Sequence, residues 1–128
     1  MRLMDDLIDE KDLLRESDRV AVGVIEDVLL DFMSTLRYFS KGIGVGTDLG
    51  ICLFWDSLSE AEKKECEPFD GVECSNILDE RGVLSYEDFY YYLRVASNTY
   101  IQLYPQDAAE VEELLAAWRK RFNIGEKA

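Results

Sequence analysis

The sequence predicts an α+β fold: a small, mainly antiparallel three-stranded sheet packed against several helices, ending in an antiparallel helix pair. Three observations support this prediction. Apolar residues recur at helical spacing in long segments towards both ends of the chain. Short runs containing β-branched and aromatic residues, separated by glycine-containing turns, occupy its middle. With 128 residues, 48% of them hydrophobic, the chain can bury a core without disulfide or metal staples.

We expect a single domain over residues 23–124, preceded by a segment over 1–22 and followed by a tail over 125–128. Residues 1–22 are charged and weakly patterned, so we expect a loosely attached segment with at most one short helix. The chain does not begin with a basic region followed by an apolar one, and its apolar runs are far shorter than a membrane span. These features predict a cytoplasmic protein without membrane association.

The first strong element is a predicted helix over about 23–39. Its apolar stripe steps by three and four residues through Ile25, Val28, Leu29, Phe32, Leu36 and Phe39. Gly42 is available to end this helix in a left-handed cap. Residues 42–46 then form a glycine-rich, flexible connection. Residues 51–55 are predicted as a strand that is apolar on both faces and therefore central.

Residues 59–84 are predicted to contain a short helix and two further strands. Ser59 and Glu62 have the spacing of a capping box for a helix over about 60–66, which Pro68 ends. Residues 71–77 alternate weakly, with Val72 and Cys74 on one side, as a strand does. Residues 83–84 add a short third strand after a glycine-containing turn.

Two helices are predicted to close the chain. Ser85 caps the first, and the Tyr104-Pro105 step breaks it. Asp107 begins the second, which carries the cleanest helical stripe in the chain, through Val111, Leu114, Leu115, Trp118 and Phe122. Because the connection between them is short, the two helices should pack antiparallel.

The composition argues against an enzyme. There are 27 Asp and Glu residues against 14 Lys and Arg, a net charge of −13, and no histidine. A field of that sign repels nucleic acid and anionic lipid, and it speeds the docking of a basic partner. The absence of histidine removes the commonest general base and the commonest metal ligand. We therefore predict no catalytic residue, no metal, no cofactor and no direct binding of nucleic acid.

Two motif-like segments lack the residues that their chemistry needs. Residues 42–46 read G-x-G-x-G, follow a helix and lack the Lys-Ser/Thr ending of a phosphate loop. Residues 77–88 echo the later part of a calcium-binding loop. There, however, Ile77 stands at the first ligand position and Arg81 at the fifth. Neither segment predicts a ligand site.

The three cysteines are predicted to be reduced thiols. Cys52, Cys66 and Cys74 have the spacing of neither a disulfide framework nor a zinc site. A Cys52–Cys74 pair on adjacent strands remains an open alternative.

Negative charge is concentrated between residues 56 and 88, where eleven acids stand against three bases. This stretch is either a solvated face that keeps the protein soluble or a docking surface for a basic protein. Tyrosines favour docking, because six of the seven lie between residues 86 and 104 and tyrosine is enriched at interfaces. The predicted partner contacts are Asp56, Glu65, Glu67, Asp70, Glu73, Asp79 and Glu80, with Tyr86 and Tyr90 as aromatic anchors.

Four segments carry a resemblance to a known family: FWDSLSE at 54–60, EPFDGVE at 67–73, LSYEDFYYYL at 84–93, and YPQD at 104–107 leading into VEELL at 111–115. They resemble the ribonuclease-toxin immunity proteins of bacterial contact-dependent inhibition systems, the CdiI type. The resemblance covers roughly residues 24–124 and leaves residues 1–22 outside it.

This resemblance implies a cytosolic protein that binds one cognate toxin nuclease domain in a 1:1 complex and blocks RNA access to it. It agrees with the charge, because a nuclease presents a basic cleft to its polyanionic substrate. The family varies between partners, so it assigns no contact residue to this chain. An acidic adaptor or regulatory domain that binds another basic protein is the alternative, and an acidic hydrolase of unusual chemistry is a third hypothesis.

Overall fold

The structure is a computed structural model that describes residues 7–124. Its helices and strands, in chain order, are α1 (Arg19–Val28), α2 (Phe32–Ser40), β1 (Val45–Gly46), β2 (Gly50–Phe54), α3 (Glu60–Glu65), β3 (Val72–Asn76), β4 (Arg81–Leu84), α4 (Tyr86–Leu103) and α5 (Ala108–Arg121). Single 3₁₀ turns connect several of them. The α+β architecture, with an antiparallel sheet and several helices, is as predicted.

The sheet has four strands in the order β1-β2-β3-β4, so the prediction of three strands was wrong. The additional strand is β1, in which Val45 pairs with Cys52 and Gly46 with Ile51. It lies in the segment that was expected to be a flexible connection. The strand was not predicted because two residues are too few to show the alternation that marks a strand. As predicted, β2 is an interior strand, although Ile51 on one of its faces is exposed.

Helix α1 packs across strands β2, β3 and β4 on one face of the sheet. Small side chains on that face allow a close approach: a Cβ added at Gly82 would lie 3.2 Å from the Cβ of Ala21. Cys52 and Cys74 are directly opposite each other in the register and are both buried. Their sulfur atoms lie 3.6 Å apart as free thiols. Because α1 covers this face, the opposite face of the sheet is left to other contacts.

The helix predicted over 23–39 is two helices, α1 and α2, separated by a 3₁₀ turn at Leu29–Asp31. The hydroxyl of Thr35 donates a 2.6 Å hydrogen bond to the carbonyl oxygen of Val28 across this turn. All six residues of the predicted apolar stripe are nevertheless buried. The buried face was therefore correct, and the continuous helix was wrong.

Helices α4 and α5 form the predicted antiparallel pair. Ser85 caps α4 by accepting a 3.0 Å hydrogen bond from the backbone N–H of Asp88. Contacts along the pair run in opposite chain directions, from Tyr86 with Phe122 at one end to Tyr100 with Asp107 at the other. Trp118 lies between them, fully buried, against rings from β2, α4 and α5: Phe54, Tyr86, Phe89, Tyr90 and Phe122.

Residues 7–18 of the predicted N-terminal segment pack on the domain, and residues 19–22 begin α1. Leu7 and Ile8 belong to the hydrophobic core, and the hydroxyl of Tyr91 donates a 2.9 Å hydrogen bond to the carbonyl oxygen of Asp12. Residues 1–6 of the segment expected to be loosely attached, and the tail predicted at 125–128, lie outside the described residues. Residues 7–18 thus contribute apolar side chains to the core that α1 and α4 share.

A buried carboxylate, that of Asp18, holds this segment to α4. The hydroxyl of Tyr92 donates a 2.6 Å hydrogen bond to Asp18 and accepts one from the backbone N–H of Leu14 at 2.9 Å. Arg15 bridges Asp18 and Asp88, with both ion pairs at 2.9 Å. Burial, followed by the hydrogen bond to the carboxylate of Asp18, raises the pKa of Tyr92 above its usual value.

We expect Tyr92→Phe to lower the free energy of unfolding by about 1.5–3 kcal/mol, because it removes a buried hydrogen bond to a charged group. Urea denaturation followed by circular dichroism measures this loss. Tyr38→Phe is the matched control, because the Tyr38 ring is half-exposed and its hydroxyl makes no hydrogen bond to a described residue. Equal stability of the two variants would show that the Tyr92 hydroxyl does not anchor residues 7–18.

Candidate functional site

The face of the sheet opposite α1 carries Glu73, one of the predicted contact residues, together with its cross-strand neighbours. We call it the outer sheet face and define it by alternating positions on three strands: Ile51, Leu53, Glu73, Ser75, Arg81 and Val83. In the register, Leu53 lies opposite Glu73, and Glu73 lies opposite Val83. Ile51 and Val83 are exposed hydrophobic residues. They lie on the two strands that flank β3, with Ser75 and Glu73 between them.

Glu73 occupies the centre of this face and is only 8% exposed. Its carboxylate lies 3.5 Å from the guanidinium of Arg81, which also lies 3.5 Å from the exposed carboxylate of Glu67. The structure therefore brings two of the predicted acids together around one cation of the chain itself. Part of the negative charge counted in the sequence is neutralised within the molecule.

An aromatic pair continues the outer sheet face beyond the end of β2. Trp55 and Phe69 pack edge to face with ring centroids 5.1 Å apart, and both are partly exposed. The ammonium group of Lys63 on α3 lies 5.3 Å from the centre of the Trp55 ring, within cation–π range. The capping box of Ser59 and Glu62 forms as predicted and fixes the start of α3 beside this pair.

Asp56, Asp70 and Tyr86 meet at the same end of the sheet. The Tyr86 hydroxyl accepts a 3.2 Å hydrogen bond from the backbone N–H of Asp56. Burial, the largest cause, and the negative charges of Asp56 and Asp70 together raise the pKa of Tyr86 to about 12, against the opposing effect of the hydrogen bond from the backbone N–H of Asp56. No described cation forms an ion pair with either aspartate, so both carboxylates are available to a partner.

Asp79 and Glu80 lie at the opposite end of the sheet, in the turn between β3 and β4. Asn76 holds this turn by accepting hydrogen bonds from the backbone N–H groups of Leu78 and Glu80, at 2.9 and 3.1 Å. β3 separates this turn from Asp70 by five residues, or about 17 Å of extended chain. The predicted acids therefore lie in loops at both ends of the sheet as well as on the outer sheet face, and they do not form a single cluster. Glu80 lies on the α1 side, beside Arg19 and Val20.

Glu65 and Tyr90 lie on helices α3 and α4. Glu65 is exposed at the end of α3. Tyr90 is only 6% exposed, because α5 covers it: its ring stacks on Trp118, and the guanidinium of Arg119 lies 5.7 Å from its centre. Tyr86 is likewise stacked on Phe122. Both tyrosines chiefly join α4 to α5, a role that the spacing along α4 alone does not reveal.

Leu53 and Val83, which lie on either side of Glu73, were not among the predicted contacts. The available signal was the alternation of residues 72–76, which turns Glu73 away from the buried Val72 and Cys74. Residues paired with Glu73 must share its face. Identifying them required the register between strands, which the sequence does not state.

The described residues contain no group of three or more Asp, Glu or Cys side chains arranged to hold a metal ion. None of the described helices is long and apolar enough to cross a membrane. The outer sheet face instead joins exposed apolar side chains to carboxylates, which is the chemistry of a surface that contacts another protein. Fold and site together define an acidic α+β domain whose open sheet face suits a protein partner.

Comparison with known families agrees with this class. The family designated CdiI_4 and described as CDI immunity protein matches residues 24–115. The chain belongs to this family of CDI immunity proteins. The name of the family implies that its members bind and neutralise a cognate toxin. No curated protein sequence matches the chain.

Proposed function

We propose that this protein neutralises a ribonuclease toxin domain by covering the surface with which that domain binds RNA. It acts in the cytoplasm as a 1:1 inhibitor without catalytic activity of its own. The observation that carries the proposal is the outer sheet face, where exposed Ile51 and Val83 lie around Glu73, with further exposed acids in the loops at both ends of the sheet. Membership of the CDI immunity family supports a toxin as the partner, and the acidic charge of this protein supports a basic, RNA-binding toxin.

Charge complementarity favours a nuclease among possible toxins. An RNA-binding cleft must be basic, and an acidic inhibitor attracts it over a distance set by the ionic strength. Ile51 and Val83 then supply apolar contact area in the complex, while the carboxylates of Asp56 and Asp70 bind basic groups of the partner.

An RNA-cleavage assay with the toxin domain encoded beside this chain tests the proposal. We expect cleavage to stop at one equivalent of the protein, and the association rate to fall steeply as salt rises. Cleavage that persists at excess protein would refute inhibition. A neutralised toxin that degrades DNA and leaves RNA intact would refute the ribonuclease assignment. A salt-independent association rate would refute steering by charge.

Asp70→Lys is expected to weaken the complex at least about tenfold, because it places a cation where the proposed partner is basic. Surface plasmon resonance against the toxin domain measures the dissociation constant. Glu113→Lys is the matched control: it changes the net charge equally, on an exposed acid of α5 that has no described ion-pair partner. If both variants weaken binding to the same extent, only overall charge matters and the contact surface lies elsewhere.

A further inference from the structure

A second surface, separate from the outer sheet face, lies where the break between α1 and α2 faces the turn between β1 and β2. It is a groove of about 580 Å³. We call it the turn groove and define it by Leu30, Asp31, Tyr38, Val45, Asp48 and Leu49. Its volume falls within the roughly 300–1,000 Å³ range typical of ligand-binding clefts.

The 3₁₀ turn at Leu29–Asp31 gives the groove its apolar wall. Leu29 points into the core, whereas Leu30 is 54% exposed. Tyr38 and Leu49 are also about half-exposed, and Val45 belongs to β1, the edge strand of the sheet. The backbone of Asp31 leaves the helical conformation and so interrupts the helical wall of the groove. A continuous helix would not have this interruption. The groove is therefore a product of the helix break.

The charged groups that line the groove are all negative. They are Asp27, Asp31 and Asp48, and no lysine or arginine lies among the lining residues. Asp27 accepts a hydrogen bond of 2.5 Å from the hydroxyl of Thr47. Asp31 and Asp48 have no ion-pair or hydrogen-bond partner among the described residues. By contrast, the neighbouring depression on the other side of Asp27 includes Arg19.

We propose that the turn groove binds a lysine or arginine side chain, flanked by an apolar residue, from a protein partner. The alkyl stem lies against Leu30 and Val45, as long cationic side chains do on apolar surfaces. The cationic head reaches Asp31 and Asp48, and the half-exposed ring of Tyr38 offers it an aromatic face. This inference does not depend on the partner being a ribonuclease.

Charge also argues against a second copy of this chain as the occupant. Each copy carries a net charge of −13, so an approaching copy meets repulsion at a groove that is itself negative. A basic partner segment meets attraction at the same place. The groove thus selects for charge as well as for apolar contact.

Nuclear magnetic resonance with the full-length ¹⁵N-labelled protein tests the inference. The probe is the acetylated, amidated peptide Gly-Leu-Arg-Leu-Gly, compared with peptides in which glutamine or glutamate replaces arginine. We expect saturable amide shifts around residues 30–31 and 45–49 with the arginine peptide. The glutamine and glutamate peptides should produce much weaker shifts.

Asp31→Asn combined with Asp48→Asn is expected to raise the dissociation constant of the arginine peptide at least about tenfold. Glu113→Gln is the control, and it should leave that constant unchanged. Both aspartates are exposed, so the amide spectrum of the double variant can verify its fold. Equal binding of the glutamine peptide, shifts confined to the outer sheet face, or no saturable shift would each overturn the inference.

Discussion

Gly71→Ala is expected to lower the free energy of unfolding by about 3–5 kcal/mol, through backbone strain together with a steric clash. Gly71 has φ of +108°, in a region that side-chain-bearing residues rarely adopt. A Cβ there would also overlap the carbonyl oxygen of Leu84 on β4. Because backbone atoms cannot turn aside as a side chain can, the junction between the Asp70 loop and β3 must shift.

Denaturant unfolding of Gly71→Ala and Gly23→Ala, compared with the unchanged protein, measures this effect. Gly23 is exposed in the middle of α1, and a Cβ added there meets nothing within 4 Å. Alanine at that position should stabilise the protein by about 0.5–1 kcal/mol, because alanine favours helix over glycine. A Gly71→Ala variant as stable as the original would contradict the backbone conformation described for the start of β3.

Trp118→Ala is expected to cost about 3–5 kcal/mol of unfolding free energy, the usual range for removing a large buried aromatic side chain. Trp118 is 0% exposed and contacts rings from β2, α4 and α5. Since typical domains have about 5–15 kcal/mol of stability in total, this loss threatens the folded state. Thermal and chemical denaturation both report it.

Trp55→Ala provides the comparison for Trp118→Ala. Trp55 is only partly buried, so its loss should cost about 1–2 kcal/mol. Trp118→Phe adds a second test of the core position, because it keeps an aromatic ring and removes an indole N–H that has no described hydrogen-bond partner. Phenylalanine should therefore recover much of the stability that alanine loses. If alanine and phenylalanine at 118 cost the same, ring packing is not what Trp118 contributes.

Local signals in the sequence predicted those elements whose cause is local. Ser59 and Ser85 accept hydrogen bonds from the backbone N–H groups of Glu62 and Asp88, and in both cases donor and acceptor lie three residues apart. The break between α1 and α2 has a different origin. The apolar stripe continues at helical spacing through Leu29 and Phe32. The hydrogen bond across the break, however, joins the carbonyl oxygen of Val28 to the hydroxyl of Thr35, seven residues away. Periodicity does not contain that information.

The candidate site shows the same division between local and tertiary causes. The count of acids between residues 56 and 88 identified a charged surface, yet it could not show that Arg81 contacts both Glu67 and Glu73. Tyr90 was predicted from the sequence as an aromatic anchor for a partner. Its burial depends on α5, which covers that side of α4 through Trp118. Cross-strand register and helix packing decide which charges and rings remain exposed.

The segment that matches the family does not include all of the residues that fill the core. The match ends at residue 115, before Trp118 and Phe122, and begins at residue 24, after Leu7, Ile8 and Asp18. A fragment cut at the family boundaries would keep the whole sheet and the outer sheet face. It would lack the last turns of α5 and the buried carboxylate that Tyr92 contacts. The part of the chain that matches the family thus carries the outer sheet face, while residues on both sides of it contribute side chains to the core.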